Sequence, residues 1–189
     1  MSSNEIIERL VVDASTDPLN PEKNFAVAVE YEKLNQTASA VGFYLRAAEY
    51  GYESHPSIAY ASLLRISICI EGQKDRNWSV SNVILQAIAY LPARPEAYFL
   101  MSRFYERSTQ WQECYAFACM GLMFSNQEFL PLPTFVDYEG EYCLLFEKAV
   151  SAWWIGRKDE SLKILNELKD REDISMTYKV AIMRNLANI

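Results

Sequence analysis

The chain has 189 residues, half of them apolar, so it can bury a continuous core without disulfide or metal staples. Its 25 acidic residues outnumber 18 basic ones, and the net charge of −7 disfavours non-specific binding to nucleic acid or an anionic membrane, both of which need surplus positive charge. It opens MSSNEIIERLVVDAS, with glutamate where an export signal carries its basic region, and its longest uncharged run, 77–93, is short for a membrane span and contains Asn82, Gln86 and Pro92, so it reads as a buried helix of a soluble, cytoplasmic protein.

In chain order, apolar residues recur at three and four, and no segment alternates with period two, so the chain reads as all-α. Ser2 and Glu5 form an S-x-x-E capping box before Ile6, Ile7, Leu10 and Val11, which predicts an N-terminal capping helix within 1–19. Pro21, Pro56 and Pro95 each precede an apolar-periodic stretch, where a proline suits the first helical turn because its missing N–H would be unpaired there anyway. They fall roughly 35 to 40 residues apart, the period of a helix-turn-helix repeat. In the first unit Val27, Ala28 and Tyr31 are followed by Ala40, Tyr44 and Ala47. In the third, Tyr98, Met101, Ser102 and Tyr105 are followed by Cys114, Ala118 and Gly121 at the same offsets. The second unit keeps Ile84, Ala87 and Pro92 but needs about five extra residues within 71–76. A fourth, at about 142–169, has Ala149, Gly156, Ser161, Leu165 and Leu168 in register after roughly a dozen extra residues in 125–140. The last residues, 173–189, predict a C-terminal capping helix.

These offsets are a loose form of the tetratricopeptide (TPR) pattern, in which small residues let two helices approach closely while an aromatic residue, here Tyr31 or Tyr105, fills the space beside the crossing. The expectation is a single domain over 1–189: a right-handed all-α solenoid with about four TPR-like hairpins over 20–172 and a capping helix at each end. From Arg94-Pro-Glu-Ala97 onward, Ser102, Tyr105, Ala118, Gly121, Leu122, Pro131-Leu-Pro133, Tyr138, Leu144-Leu-Phe-Glu147, Ser151-Ala152, Gly156-Arg157 and Arg184-Asn185 add a further likeness. This stretch, about half of the chain, resembles the helical repeat region that accompanies family 2 glycosyltransferases in bacteria and large viruses. The resemblance implies a context rather than an activity. Trp153 and Trp154 stand where that family usually has two tyrosines, and the sequence lacks the Asp-x-Asp through which such transferases bind metal and nucleotide sugar.

The inventory for catalysis is thin. His55, the only histidine, sits beside Pro56 at a helix start, where capping or solvation suits it better than general-base work. Zinc sites and Ser-His-Asp arrangements therefore lack parts, and the six glycines never cluster into a phosphate-cradling loop. Cys69, Cys114, Cys119 and Cys143 form no C-x-x-C pair and read as buried thiols in a reducing compartment, and the charge run 169–173 reads as a solvated turn. The chain is thus expected to be non-enzymatic, with no catalytic residue, metal or cofactor.

What remains is a surface. The TPR resemblance implies a concave face lined by the fifth, ninth, twelfth and thirteenth residues of each first helix. It assigns the fifth place to Phe25, Tyr60, Phe99 and Phe146 and the ninth to Val29, Leu64, Arg103 and Val150. Trp153 and Trp154 take the last two places, near Arg103, Glu106 and Arg107. Such a face suits an extended peptide or a helix, and the leading expectation is a scaffold or interaction module for a protein or peptide. It lacks the Lys and Asn of a terminal-carboxylate clamp and the Asn of a peptide ladder. Three other readings stand beside it: an aromatic row that is ordinary core, an accessory glycosyltransferase subunit binding a sugar or sugar nucleotide, and a structural subunit that self-associates into a homo-oligomer. The sequence leaves open whether the 125–140 loop, with Phe129, Leu130, Leu132 and Phe135, fills the groove.

Overall fold

A computed structural model describes residues 3–73 and 75–188, and among them the fold is all-α, as the periodicity predicts. The helices are α1 (Ser3–Thr16), α2 (Pro21–Lys33), α3 (Thr37–Gly51), α4 (Pro56–Glu71), α5 (Asn77–Tyr90), α6 (Pro95–Arg107), α7 (Trp111–Leu122), α8 (Glu141–Trp154), α9 (Lys158–Lys169) and α10 (Met176–Asn188). The capping box invoked Ser2, which lies outside the described residues.

Pro21, Pro56 and Pro95 each take the first helical turn, where their fixed φ helps and their missing N–H does no harm. Ahead of α2, the Asn20 side chain accepts a hydrogen bond from the Lys23 N–H at 3.1 Å. The buried Asn24 amide donates to the carbonyls of Pro18 and Asn20 at 2.9 and 2.8 Å. Asn20→Ala is expected to cost about 1 kcal/mol, seen as a lower urea midpoint at unchanged slope. An unmoved midpoint would show that the cap contributes nothing in solution.

The chain divides into two compact units. Unit 1 holds α1–α5 and the segment Leu130–Val136; there each helix packs on the next, and α2 also reaches α4. Unit 2 holds α6–α10; α6, α7, α8 and α9 pack in succession, α6 also meets α8, and α10 closes over α9 and α8. Contact of each helix with the next in its unit, and of α2 with α4, α6 with α8 and α8 with α10, is how stacked hairpins bury a core layer by layer.

Three hairpin turns use the same closing device. Asn35, Thr109 and Gly156 adopt left-handed φ values of 56°, 55° and 85°. Beyond them the N–H groups of Gln36, Gln110 and Arg157 donate to the carbonyls of Tyr31, Tyr105 and Ala152 at 2.9, 2.9 and 2.8 Å. This Schellman bond satisfies a carbonyl the helix end leaves unpaired and turns the chain back. Only the third turn uses glycine; β-branched Thr109 tolerates the strained conformation at a cost of about 1 kcal/mol.

The repeat register holds inside these hairpins. Ala40, Tyr44 and Ala47 on α3, Val80, Ile84 and Ala87 on α5, Cys114, Ala118 and Gly121 on α7, and Ser161, Leu165 and Leu168 on α9 are all buried. Tyr31 stacks on Phe43 and Tyr105 on Phe117, with centroids 5.6 and 5.5 Å apart, so the two tyrosines occupy matching surroundings. The insertion expected at 71–76 is absorbed mainly by α4, which has 16 residues against 13 in α2, and the rest lengthens the turn. In unit 1 α1 buries Ile7 and Ala14, two turns apart on one face. In unit 2 α10 buries Ile182 and sets Tyr178 edge-on against Tyr142 and Phe146.

One expectation is corrected. The uncharged run 77–93 is not a buried helix: α5 buries only the stripe Val80, Ile84, Ala87, and Trp78 on its other side is 77% exposed. Lack of charge is not burial; packing on α4 covers one face and leaves the opposite one in water.

Candidate functional site

Of the residues assigned to the concave face, the candidates for contact, Phe25, Tyr60, Phe99, Arg103, Phe146, Trp153 and Trp154, have different fates. Phe25, Tyr60 and Phe99 are buried, so these three rings are core and not a contact surface. Phe25 meets Tyr44 edge-on at 5.5 Å, and Phe99, fully enclosed, is covered by the Tyr138 ring at 5.5 Å and the Arg103 guanidinium at 5.5 Å. Phe25 thus meets its own hairpin partner and Phe99 a loop residue, and in both cases aromatic bulk adds more by burial than by display. Phe146 is half-buried against Tyr178 at 5.3 Å.

The two adjacent tryptophans separate, as a 100° step along a helix requires. Trp154 ends α8 and stacks on Trp111, which opens α7, at 5.3 Å and 15° between planes, while remaining 61% exposed. Trp153 is half-buried, with the Lys158 ammonium 4.5 Å from its ring. Unit 2 therefore presents a stacked indole pair beside a cation-capped indole at one end of α8. Reading the sequence missed Trp111; its signal was a tryptophan immediately after a hairpin turn, where a first-turn residue flanks the end of the neighbouring helix.

A polar network joins α7, α8 and α9. The Tyr115 hydroxyl donates to both Glu160 oxygens at 3.0 Å, Arg157 donates to that hydroxyl at 2.9 Å, and Lys148 donates to Glu160 at 2.9 Å. Burial, and then the bond to Glu160, push the Tyr115 phenol up to about 12. Desolvation works against ionisation of Glu160, but the bonds from Lys148, Tyr115 and Arg157 win and hold it below the usual carboxylate range. The network satisfies its own charges, so it is a clasp between helices rather than a reactive centre.

Glu147 differs. It lies on α8, only 5% exposed, with Oε2 making no hydrogen bond. Burial, reinforced by the Glu106 charge, pushes its carboxyl up to about 8, and Arg103 and Arg107 offset this only in part. The register itself marks the residue, because the corresponding places in the first and third units carry Ala26 and Leu100.

The other sequence candidates are quiet. His55 precedes α4 without a side-chain cap bond; its Nδ1 lies 2.8 Å from Ser54 Oγ and its Nε2 3.7 Å from Glu22. The 169–173 run is more than a solvated turn, since Arg171 pairs with both Asp173 oxygens at 2.9 and 2.7 Å and with Glu141 at 3.2 Å. All four cysteines are free; Cys69, Cys114 and Cys143 are buried as expected, but Cys119 is only half-buried, because its side of α7 is left partly uncovered. Among the described residues no cluster of metal-ligating side chains forms, and no helix is long and apolar enough to cross a membrane.

No family model matches the chain. No curated protein matches its sequence either. Solved structures do match in shape. MamA aligns over 99% of this chain and 92% of its own, at 12% identity and a TM-score of 0.67. PilW, described as a widely conserved type IV pilus biogenesis factor, aligns over 93% of this chain and 73% of its own, at 15% identity and a TM-score of 0.68. A thermophilic TPR protein of Thermus thermophilus aligns over 98% and 91%, at 13% identity and a TM-score of 0.61. At such identities the likeness is one of fold, and that fold is the all-α solenoid of TPR-like hairpins.

Proposed function

We propose that the chain is a non-catalytic interaction or scaffold module that works in the cytoplasm and engages a protein or peptide partner. Of the aromatic and charged residues expected to make contact on the concave face, Arg103, Phe146, Trp153 and Trp154 retain exposed surface, and they supply the contact surface in this reading. The observation that carries it is the indole pair: Trp154 is open to solvent yet already held in place by Trp111, so little entropy is lost when a partner covers it. Trp154→Ala is expected to leave the melting temperature nearly unchanged and to weaken partner binding by about tenfold or more, by affinity capture followed by titration of the captured partner. An unchanged set of partners at unchanged affinity would overturn the reading.

The resemblance over 94–185 supports a second reading in glycan assembly, since stacked indoles are also a surface on which a sugar ring packs. In that second reading the chain is an accessory subunit of a glycosyltransferase, and calorimetric titration with nucleotide sugars gives heat with the wild type and none with Trp154→Ala. Silence with both retires it. Self-association draws support from α10, where Met176, Val180 and Met183 are exposed at helical spacing. A mass that stays monomeric over a wide concentration range excludes it.

A further inference from the structure

Leu130–Val136, reading Leu-Pro-Leu-Pro-Thr-Phe-Val, joins unit 1 although it lies between α7 and α8 in the chain. Its two prolines forbid helix and favour an extended backbone. Its C-terminal end is anchored. Val136 is buried to 3% exposure, and the Phe135 carbonyl accepts a hydrogen bond from Arg65 Nη1 at 3.0 Å. Pro131, Pro133 and Phe135 are exposed, Phe135 by 60%, while Leu132 and Thr134 between them are half-buried. Asp137 then leaves in a left-handed conformation at φ 62°, which an aspartate adopts only at some cost.

Arg65, by contrast, is firmly built in. Its Nε donates to Glu32 Oε2 at 3.0 Å and its Nη2 to Oε1, a bidentate fork, and the fully buried Tyr44 hydroxyl donates to Glu32 Oε2 at 2.7 Å. Arg65 and Glu32 side chains are only 19% and 20% exposed. One edge of the guanidinium is thus used up by the protein and the other points at a peptide carbonyl. A donor aimed at backbone reads an extended chain whatever its side chains, and the burial of Val136 directly after the clamped carbonyl adds a preference for a small aliphatic residue there.

We propose that this seat on α2 and α4 is a recognition site for an extended, proline-containing peptide with a small aliphatic residue after the clamped carbonyl, and that Leu130–Val136 is its resting occupant. A tethered occupant competes at an effective concentration of order millimolar, so a free peptide finds the seat mostly filled until the segment is displaced. The seat shares no residue with the tryptophan surface, so either reading stands if the other fails.

The test uses a labelled peptide with the sequence of residues 128–138 and fluorescence anisotropy. Val136→Ser removes the buried aliphatic side chain and is expected to tighten peptide binding by about tenfold or more over the wild type. Adding Glu32→Gln with Arg65→Met, which removes both charges together so that neither is stranded, is expected to return binding to the wild-type level or below. Far-UV circular dichroism checks the helices of each variant. In the unaltered protein, excess unlabelled peptide should speed hydrogen exchange across Leu130–Val136 several-fold, a readout that needs no variant to fold. Binding to Val136→Ser no tighter than to the wild type, equal binding after loss of Arg65, or unchanged exchange in the wild type would each overturn the proposal.

Discussion

Raising the pH from about 5 to about 8 is expected to destabilise the protein by a few kcal/mol through Glu147, and Glu147→Gln to abolish that loss. The carboxyl has an ordinary value of 4.5 and is pushed up to about 8 in the fold, first by burial and then by Glu106. Because the folded-state value is the higher one, the native protein keeps its proton where the unfolded chain has released it. The stabilisation is therefore complete below pH 4.5, is lost progressively as the pH rises, and is gone above about 8. The groups facing Glu147 are Glu106, Arg103 and Arg107 from α6, Cys114 from α7, whose thiol lies 3.9 Å from the Glu147 carbonyl, and Tyr178 from α10. Gln keeps the shape and stays neutral, at a cost of about 1 kcal/mol for an amide N–H placed where no acceptor waits. The variant should thus be slightly less stable near pH 5 and clearly more stable near pH 8. Thermal melts at half-unit pH steps read this directly, and a wild type that is flat over the interval, or a variant just as steep, would remove Glu147 from the account.

The second large effect is expected at Gly121, with a sign opposite to helix propensity. A Cβ built there lies 2.8 Å from the Tyr98 Cβ and 2.8 Å from Leu144 Cδ2, so α7 meets α6 at a side-chain root and α8 at the methyls of Leu144. Replacing a helical glycine by alanine ordinarily gains about 1 kcal/mol. Here the Tyr98 Cβ cannot rotate away and Leu144 is fully enclosed, so overpacking of about 1–3 kcal/mol outweighs the gain. Gly121→Val adds a further methyl pair with no propensity benefit and should cost more. Gly42, in α3, supplies the control: nothing lies within 4 Å of its would-be Cβ, so Gly42→Ala should raise the urea midpoint by the propensity term. Both alanines shifting the midpoint the same way would refute the close-packing explanation.

These two residues show where legibility stops. Gly121 was readable as a small residue in the repeat register because its spacing from Cys114 and Ala118 copies Ala40, Tyr44 and Ala47. That α6 and α8 press on it together was not. Glu147 stood in the sequence as one acidic residue among 25, and its protonation depends on α6, α7 and α10 closing around it. The register put Phe25, Tyr60, Phe99 and Phe146 at one place in the repeat, yet alignment says which helix face a ring is on and not what lies across from it. Phe99 is sealed by Tyr138, from a loop whose course follows no period. The stack of Trp111 and Trp154 likewise joins the start of one helix to the end of the next, a pairing that appears only when the hairpins are docked.

By itself the sequence determined the helices, their proline starts, the hairpin units and the buried second-helix stripe, because each is encoded within a turn or two of the chain by φ restriction, small-residue spacing and apolar period. Only the tertiary structure decided which aromatics are open, that Arg65 aims at a backbone carbonyl and that Glu147 holds its proton. Exposure, clamp geometry and ionisation depend on neighbours distant in sequence, and no local pattern carries that information.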